Sequence, residues 1–326
     1  MAEQEIRRIA VLTSGGDAPG MNAAVRAVVR TACANGIEVL GINRGYSGLL
    51  NNDFNKLTAR SVDGLLQRGG TMLYTARCDE MMTEEGQKKA AEHCKYLGID
   101  GLICCGGDGT YRGALSLSRL GVPCIGIPGT IDNDIGCTEY TIGFDTASNT
   151  AIQCIDKLRD TMQSHERISV VEVMGRHAGH LALSVGCAVG AEAMLLPERQ
   201  EDFENDVIEK IRRGRINQRH HHIIIVAEGY GLSAQEVAAR VQEETGMDTR
   251  VTILGHIQRG GSPSAFDRTM ATRMGHYAVQ ALMEGKTKRV VAVQGRKIVD
   301  FDIEEALTMK KSLDEELYEA EQTISI

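Results

Sequence analysis

Short apolar runs, each closed by glycine and followed by residues at helical spacing, recur along the chain. The run RRIAVLTS stops at GGDAPG, and MNAAVRAVVRTACANG follows with apolar positions three and four apart and a glycine stop. GIEVLGI reads as a second strand. GLICCGGDGTYRGALSLSRLG repeats the sequence of strand, glycine turn and helix; VPCIGIPG is a short strand and TASNTAIQCIDKLRDTM a helix. RISVVEVMGRHAGHLALSVGCAVGA and RVTILGHIQRGGSPSAFDRTMATRMGHYAVQALMEG share this build, separated by HHIIIVAEG and SAQEVAARVQEETG. Strands that alternate with helices predict an α/β fold of mostly parallel sheets covered by helices on both faces.

At 326 residues the chain is long for one hydrophobic core, so two three-layer lobes are expected. No low-complexity linker interrupts it, which predicts several chain crossings rather than one tether. The expected lobes are residues 1–142 plus 257–307 and residues 143–256 plus 308–326. In open parallel sheets ligands bind beyond the carboxyl ends of the strands. Two facing sheets would aim the glycine loops into one cleft.

Composition narrows the partners. Hydrophobic residues at 42%, charged residues at 25% and only five prolines describe an ordinary globular chain. A net charge of −8 argues against nucleic acid, which needs a basic face. No apolar run approaches the roughly 20 residues of a membrane span. MAEQEIRRIAVL lacks the long apolar region of a secretory signal. The nine cysteines are scattered without a C-x-x-C pair, and adjacent Cys104 and Cys105 fall in a strand-like run where packing is their expected role. A reducing cytoplasm fits that usage.

GGDGT (Gly106–Thr110) follows a strand and opens a helix. Glycines there admit backbone N–H groups to a phosphate, and the helix N-terminus adds partial positive charge. Asp108 could hold magnesium, which takes one or two carboxylates together with phosphate oxygens. SGGDAPG (Ser14–Gly20) has the same design. Neither loop ends in Gly-Lys-Ser/Thr, so neither is a Walker A loop. Either alone could be a tight turn with no ligand; the pair argues for phosphate.

In GIPGTIDNDI (Gly126–Ile135), Asp132 and Asp134 flank Asn133 just after a proline–glycine turn. Acids there serve solubility, turn chemistry, a metal ion or proton transfer. VMGRHAGH and GHIQRGG set Arg176, His256 and Arg259 at strand ends, where a buried anion would need them. Arginine contacts phosphate in a planar, bidentate way, and a merely solvated arginine would not sit between an apolar strand and a glycine turn. His177 and His180 are three apart with no third ligand nearby, so they read as helix-start histidines rather than zinc ligands. His220–His222 read as the start of a strand beside a basic loop.

TSGGDAPGMNAAVR, GGDGT, PGTIDNDI, MGRHAGHLAL and LGHIQRGGSPSAFDR occur in an order and spacing that resemble the bacterial ATP-dependent 6-phosphofructokinases, over essentially the whole chain. GGDGT alone also resembles NAD kinases and diacylglycerol kinases; PGTIDND with MGR and GHIQRGG is specific. The resemblance implies transfer of the ATP γ-phosphoryl group to the 1-hydroxyl of fructose 6-phosphate, with Mg2+, by a homotetramer. It makes Asp132 the base, Thr130 a contact to the transferring group and Arg176 the residue that neutralises charge on it. Asp134 would orient the loop or engage magnesium through water. Gly16, Arg77, Cys78, Gly107, Asp108, Gly109 and Thr110 match the ATP site, with Asp108 at the metal. Thr130, Ile131, Asp132, Met174, Gly175, Arg176, Glu228, His256, Ile257, Gln258 and Arg259 match the sugar-phosphate site. Arg167 and Arg250 match residues that reach the 6-phosphate from a neighbouring subunit.

Arg26, Arg30, Arg159, Gly190, Glu192, Arg219, His220 and His221 match an effector site for ADP and phosphoenolpyruvate between subunits. Arg26 and Arg30 are four apart and share one helix face, which solvent exposure would also explain. The match departs at Ala59, where the family often has arginine, and at Asn217, Arg219 and His220, where lysines are common. A diphosphate-dependent relative would read GGDD and PKTIDND. An Asp at Gly109 would repel the nucleotide α-phosphate and a Lys at Gly129 would occupy its space, so the two glycines point to ATP. A NAD or lipid kinase would leave GHIQRGG and MGR without a task. A bilobal sugar-binding regulator would need neither the magnesium aspartate nor the base.

Overall fold

In the computed structural model, which describes residues 6–200 and 202–325, the apolar runs become strands. These are β1 (Arg8–Thr13), β2 (Glu38–Ile42), β3 (Phe54–Leu57), β4 (Gly101–Gly106), β5 (Cys124–Pro128), β6 (Ile168–Val173), β7 (Ala193–Leu195), β8 (His222–Ala227), β9 (Thr249–Ile253), β10 (Arg289–Gln294) and β11 (Lys297–Asp302). The helices are α1 (Met21–Ala34), α2 (Gly45–Leu50), α3 (Glu84–Tyr96), α4 (Asp108–Arg119), α5 (Phe144–His165), α6 (His180–Val189), α7 (Glu209–Ile216), α8 (Ala234–Thr245), α9 (Ala265–Met283), α10 (Ile303–Thr308) and α11 (Glu315–Ile324). The residues MAEQE, part of the segment read for a secretory signal, lie outside the described set.

The chain forms two units. The first takes the residues through Ile131, Ile135–Thr146 and Arg259–Lys311; the second takes Asp132–Asp134, Ala147–Gln258 and the residues from Ser312 on. The first unit holds a seven-stranded sheet in the order β11-β10-β5-β4-β1-β2-β3. Its interior strands run parallel, and β3 and β11 close the edges antiparallel. Side chains alternate between faces along a strand. Ala10, Leu12, Leu102 and Cys104 therefore share one core with Tyr46, Cys94 and Tyr111 beneath α2, α3 and α4. Ile9, Val11, Ile103 and Cys105, equally buried, face the layer of α1 and α9.

The second unit holds a four-stranded parallel sheet, order β7-β8-β6-β9. Ile168, Val170, Ile224 and Val226 pack against Val207, Ile211, Val237 and Val241 from α7, α8 and the turn before α7. The opposite face meets α6. Helix α8 shows how local sequence sets these elements. Ser233 accepts from the Glu236 N–H while Glu236 reaches back to the Ser233 N–H, and Gly246 ends the helix at φ +68°.

Candidate active site

In the first unit the strand order reverses between β1 and β4, and the loops after both strands lie side by side. That switch point is where an open α/β sheet takes its ligand. Ser14 N donates to Cys105 O (3.0 Å), and Thr110 Oγ1 donates back to Ser14 O (3.2 Å). The Thr75 hydroxyl donates to Gly15 O at 2.6 Å and brings in the segment that carries Arg77 and Cys78. Gly107 caps α4, with Asp108 as the first helical residue. A Cβ at Gly107 or Gly109 would meet nothing within 4 Å, whereas one at Gly106 would strike Thr110 and Ser14. Glycine is therefore required by packing at 106 and leaves open space at 107 and 109. A Cβ on Gly16 would fall 2.0 Å from the Arg259 guanidinium, so a residue matched to ATP and one matched to the sugar phosphate touch within this unit.

The third loop follows β5. Gly129 N donates to Gly106 O (3.0 Å), and a Cβ at 129 would lie 2.9 Å from Cys105 Sγ and 3.2 Å from Met21 Cε. A lysine there would meet protein before any ligand. Thr130 is half-buried, Ile131 and Asp132 are buried and Asp134 is exposed. Asn133, between the two acids, holds a left-handed φ of +51°, a conformation that asparagine tolerates better than most residues.

In the second unit the carboxyl ends of β6, β8 and β9 gather the expected sugar-phosphate residues. Gln258 Oε1 accepts from Met174 N at 2.9 Å, and Glu228 Oε2 accepts from Arg176 N at 3.1 Å. Arg176 is exposed and also left-handed, φ +58°, directly after Gly175. A Cβ at Gly229 would fall 2.4 Å from Arg176 O, so only glycine there lets the Arg176 turn pack this closely. His256 and Ile257 are exposed on a single 3-10 turn after β9. Gln258 is fully buried and holds the Met174 backbone through that hydrogen bond. Arg167 and Arg250 lie elsewhere, at the amino ends of β6 and β9, both paired with Asp248 (2.6 and 3.1 Å). Arg250 stands opposite Ser169, five positions before Met174, or about 17 Å along the strand at about 3.3 Å per residue. Within one unit these arginines are not brought to the Met174 end.

The phosphofructokinase family profile matches residues 8–282. The chain belongs to the phosphofructokinase family. An ATP-dependent 6-phosphofructokinase of Bacillus pumilus is 56% identical over 321 residues, 98% of this chain and 100% of that one. One from Clostridium acetobutylicum is 55% identical over 320 residues, again 98% and 100% of the two chains. Among solved structures, the phosphofructokinase of Saccharomyces cerevisiae superposes with a TM-score of 0.88 at 38% identity, covering 98% of this chain and 48% of that one. A pyrophosphate-dependent phosphofructokinase from Marinobacter aquaeolei shares the fold at a TM-score of 0.83 and 22% identity, over 94% and 86% of the chains.

The residues that resemble the phosphofructokinase effector site fall in both units. In the second, Glu192 is a buried carboxylate beside β7. It accepts from Arg219 Nη1 (3.0 Å) and Ile223 N (2.6 Å), with His222 Nδ1 at 3.4 Å. Burial alone would raise its pKa; His222 and the Ile223 N–H outweigh that and hold it below the ordinary glutamate value. Arg159 donates to Val189 O, one residue before left-handed Gly190. His221 is half-buried, and its pKa is lowered mainly by burial. His220 lies 3.6 Å from Glu166, and of the three histidines only His222 belongs to a strand. His180 opens α6 as expected, whereas His177 sits in the preceding turn. Arg26 and Arg30 share one face of α1 in the first unit, where Arg30 pairs with Asp63 at 3.1 Å.

The sequence reading gave no role to Asp267, which is fully buried near the start of α9. Its Oδ1 accepts from the Tyr140 hydroxyl and from Gly143 N (2.5 Å), and its Oδ2 from Thr146 N (2.9 Å) and the Thr146 hydroxyl. Burial raises its pKa, against the pull of these four donors. Ser264–Asp267 has the spacing of a capping pair, and that signature hides the residue. Ser264 Oγ does cap Asp267 N, but Ser264 N is satisfied by Thr146 Oγ1, so the carboxylate is used elsewhere.

Proposed function

We propose that this chain is an ATP-dependent 6-phosphofructokinase, converting fructose 6-phosphate and ATP to fructose 1,6-bisphosphate and ADP. The observation that carries this is its end-to-end identity of 56% with an enzyme of that name. Open space at Gly107 and Gly109 supports ATP as donor, because an aspartate at 109 would project into the volume beside the helix N-terminus. The first unit then binds ATP on the loops after β1 and β4, and the second carries most of the residues matched to the sugar phosphate, on the loops after β6, β8 and β9.

In this reading the 1-hydroxyl oxygen bonds to the γ-phosphorus, the bond to the ADP oxygen breaks, and the hydroxyl proton passes to the Asp132 carboxylate. Thr130 contacts the transferring group, and Arg176 offsets its charge as it moves, the kind of electrostatic contribution usually largest in such sites. Met174, Glu228 and Arg259 orient the sugar phosphate. Arg167 and Arg250 serve a neighbouring subunit of a homotetramer, which suits their place at the far end of the strands. Asp108 fits magnesium that arrives with nucleotide. Among the described residues no three His, Cys, Asp or Glu side chains form a cage, and magnesium commonly uses one or two carboxylates with substrate phosphates. Bound there, it would neutralise phosphate charge. Glu192, Arg219, Arg159, His220, His221, Arg26 and Arg30 would bind ADP or phosphoenolpyruvate as effectors.

Unpaired cysteines fit a cytoplasmic setting, and no helix among the described residues is long and apolar enough to cross a membrane. A coupled ADP-release assay with fructose 6-phosphate, ATP and magnesium tests the activity. Sugar-dependent ADP release is expected; ADP release indifferent to fructose 6-phosphate would reject it.

A further inference from the structure

We propose that Asp267 is a positioning residue for phosphoryl transfer, holding the Tyr140–Gly143 segment that in turn fixes the backbone of Thr130. This rests on the assignment of Thr130 and Asp132 to the reaction. Three links carry it, all within the first unit. Asp267 Oδ1 takes the Tyr140 hydroxyl and Gly143 N, the two ends of the segment. The segment lies alongside the end of β5: Ile142 N donates to Pro128 O at 2.9 Å, and Ile142 bridges Gly129. Thr141 Oγ1 then donates to Thr130 O at 2.7 Å. Asp267 Oδ2 holds Thr146 in the first turn of α5, so one carboxylate ties both sides of this connection to α9.

Packing makes the segment transmit displacement. A Cβ on Gly143 would fall 2.6 Å from Ala18 Cβ and 3.3 Å from Ile131 Cγ2, and one on Gly20 would fall 2.6 Å from Ile142 Cγ2. A shift of Gly143 or Ile142 therefore presses on both the SGGDAPG loop and the residue before Asp132. A helix cap does not require a buried carboxylate, since Ser264 already supplies the cap. Burying one costs heavily unless donors surround it, and here the donors are the loop being placed.

Asp267→Asn keeps the volume but sets an amide N–H group against two of the four donors. A misplacement of about 1 Å at such a site costs about 10²-fold in rate. The expected result is a kcat lowered by about ten- to a hundredfold, with KM for ATP and for fructose 6-phosphate changed by less than about threefold. A purely structural role predicts a lower Tm with normal kcat per folded molecule, and that result would overturn the proposal. If Asp267→Asn does not fold, Tyr140→Phe and Thr141→Val decide, since each removes one link. Lowered kcat at unchanged KM supports the proposal, and full kcat in both rejects it. Asp132→Asn assayed in parallel separates the two claims. Turnover in Asp132→Asn removes the assignment of the base. An inactive Asp132→Asn beside normal kcat in the other variants removes the positioning role alone.

Discussion

At the scale of single residues, Asp132 is only 9% exposed, while Asp134, two positions on, is at the surface. One acid of the pair is thus screened from water, as the proposed base would be, and the other is solvated. Asp132→Asn keeps size and polarity without proton acceptance, so kcat should fall by about 10²–10⁴ while KM changes far less. Steady-state kinetics on the folded variant checks this, and near-normal turnover would place the base elsewhere. Gly109→Asp tests the nucleotide side. Its Cβ meets nothing within 4 Å, so folding stability should change by no more than an ordinary surface substitution does, about ±0.5 kcal/mol. The KM for ATP should rise by about tenfold or more from charge repulsion, equivalent to about 1.4 kcal/mol. An unchanged KM would mean that nucleotide phosphate does not pass position 109. Asp132 and Gly109 could be proposed from the sequence because they lie in contiguous motifs. Asp267 was not, because its partners lie more than a hundred positions away and its local spacing reads as a helix cap.

At the scale of elements, alternating apolar runs and glycine stops predicted the parallel strands and their helices, since period and turn chemistry are local. The stretch from Gly45 to Tyr96 offered no such pattern. It forms α2, short antiparallel β3 and α3, whose sequence EEGQKKAAEHCKY buries little of its surface, and these elements hold by tertiary packing. The antiparallel edge pair β10–β11, joined by a tight turn at Gly295, was not read either, although two apolar runs around a two-residue glycine turn carry a hairpin signal. Asp300 secures that edge. It accepts from Lys286 Nζ at 3.0 Å, from Tyr277 and from Arg289, with a side chain only 8% exposed. Burial alone would raise its pKa, but Tyr277, Arg289 and Lys286 outweigh that and hold it below the ordinary aspartate value. A depressed folded pKa gives stability that is complete above the unfolded value, about 3.9, and is lost as pH falls through the folded one. Asp300→Asn should therefore cost about 1–3 kcal/mol at pH 7, with the gap to the parent narrowing below about pH 4. Denaturant titration at both pH values checks it; a gap of the same size at both would remove the linkage.

At the scale of the whole molecule, Arg167 and Arg250 stand at the wrong end of β6 to serve the Met174–Arg176 turn of their own unit. The proposed homotetramer, with sites shared between subunits, would resolve this. Arg250→Ala should weaken fructose 6-phosphate binding by about 1.5–3 kcal/mol, the range for a hydrogen bond to a charged group. Mixed with Asp132→Asn subunits it should recover activity, because intact sites form where the two meet. Hybrids that never exceed the sum of their parents would show that each site is built from one chain. The central claim, phosphoryl transfer from ATP to the sugar 1-hydroxyl, is tested most directly by following the phosphoryl group itself. With ATP labelled at the γ-phosphate and fructose 6-phosphate present, the label should appear on carbon 1 of the sugar product in step with ADP, and none should transfer from labelled diphosphate. Label passing to the sugar from diphosphate, or leaving ATP only as inorganic phosphate, would contradict the account.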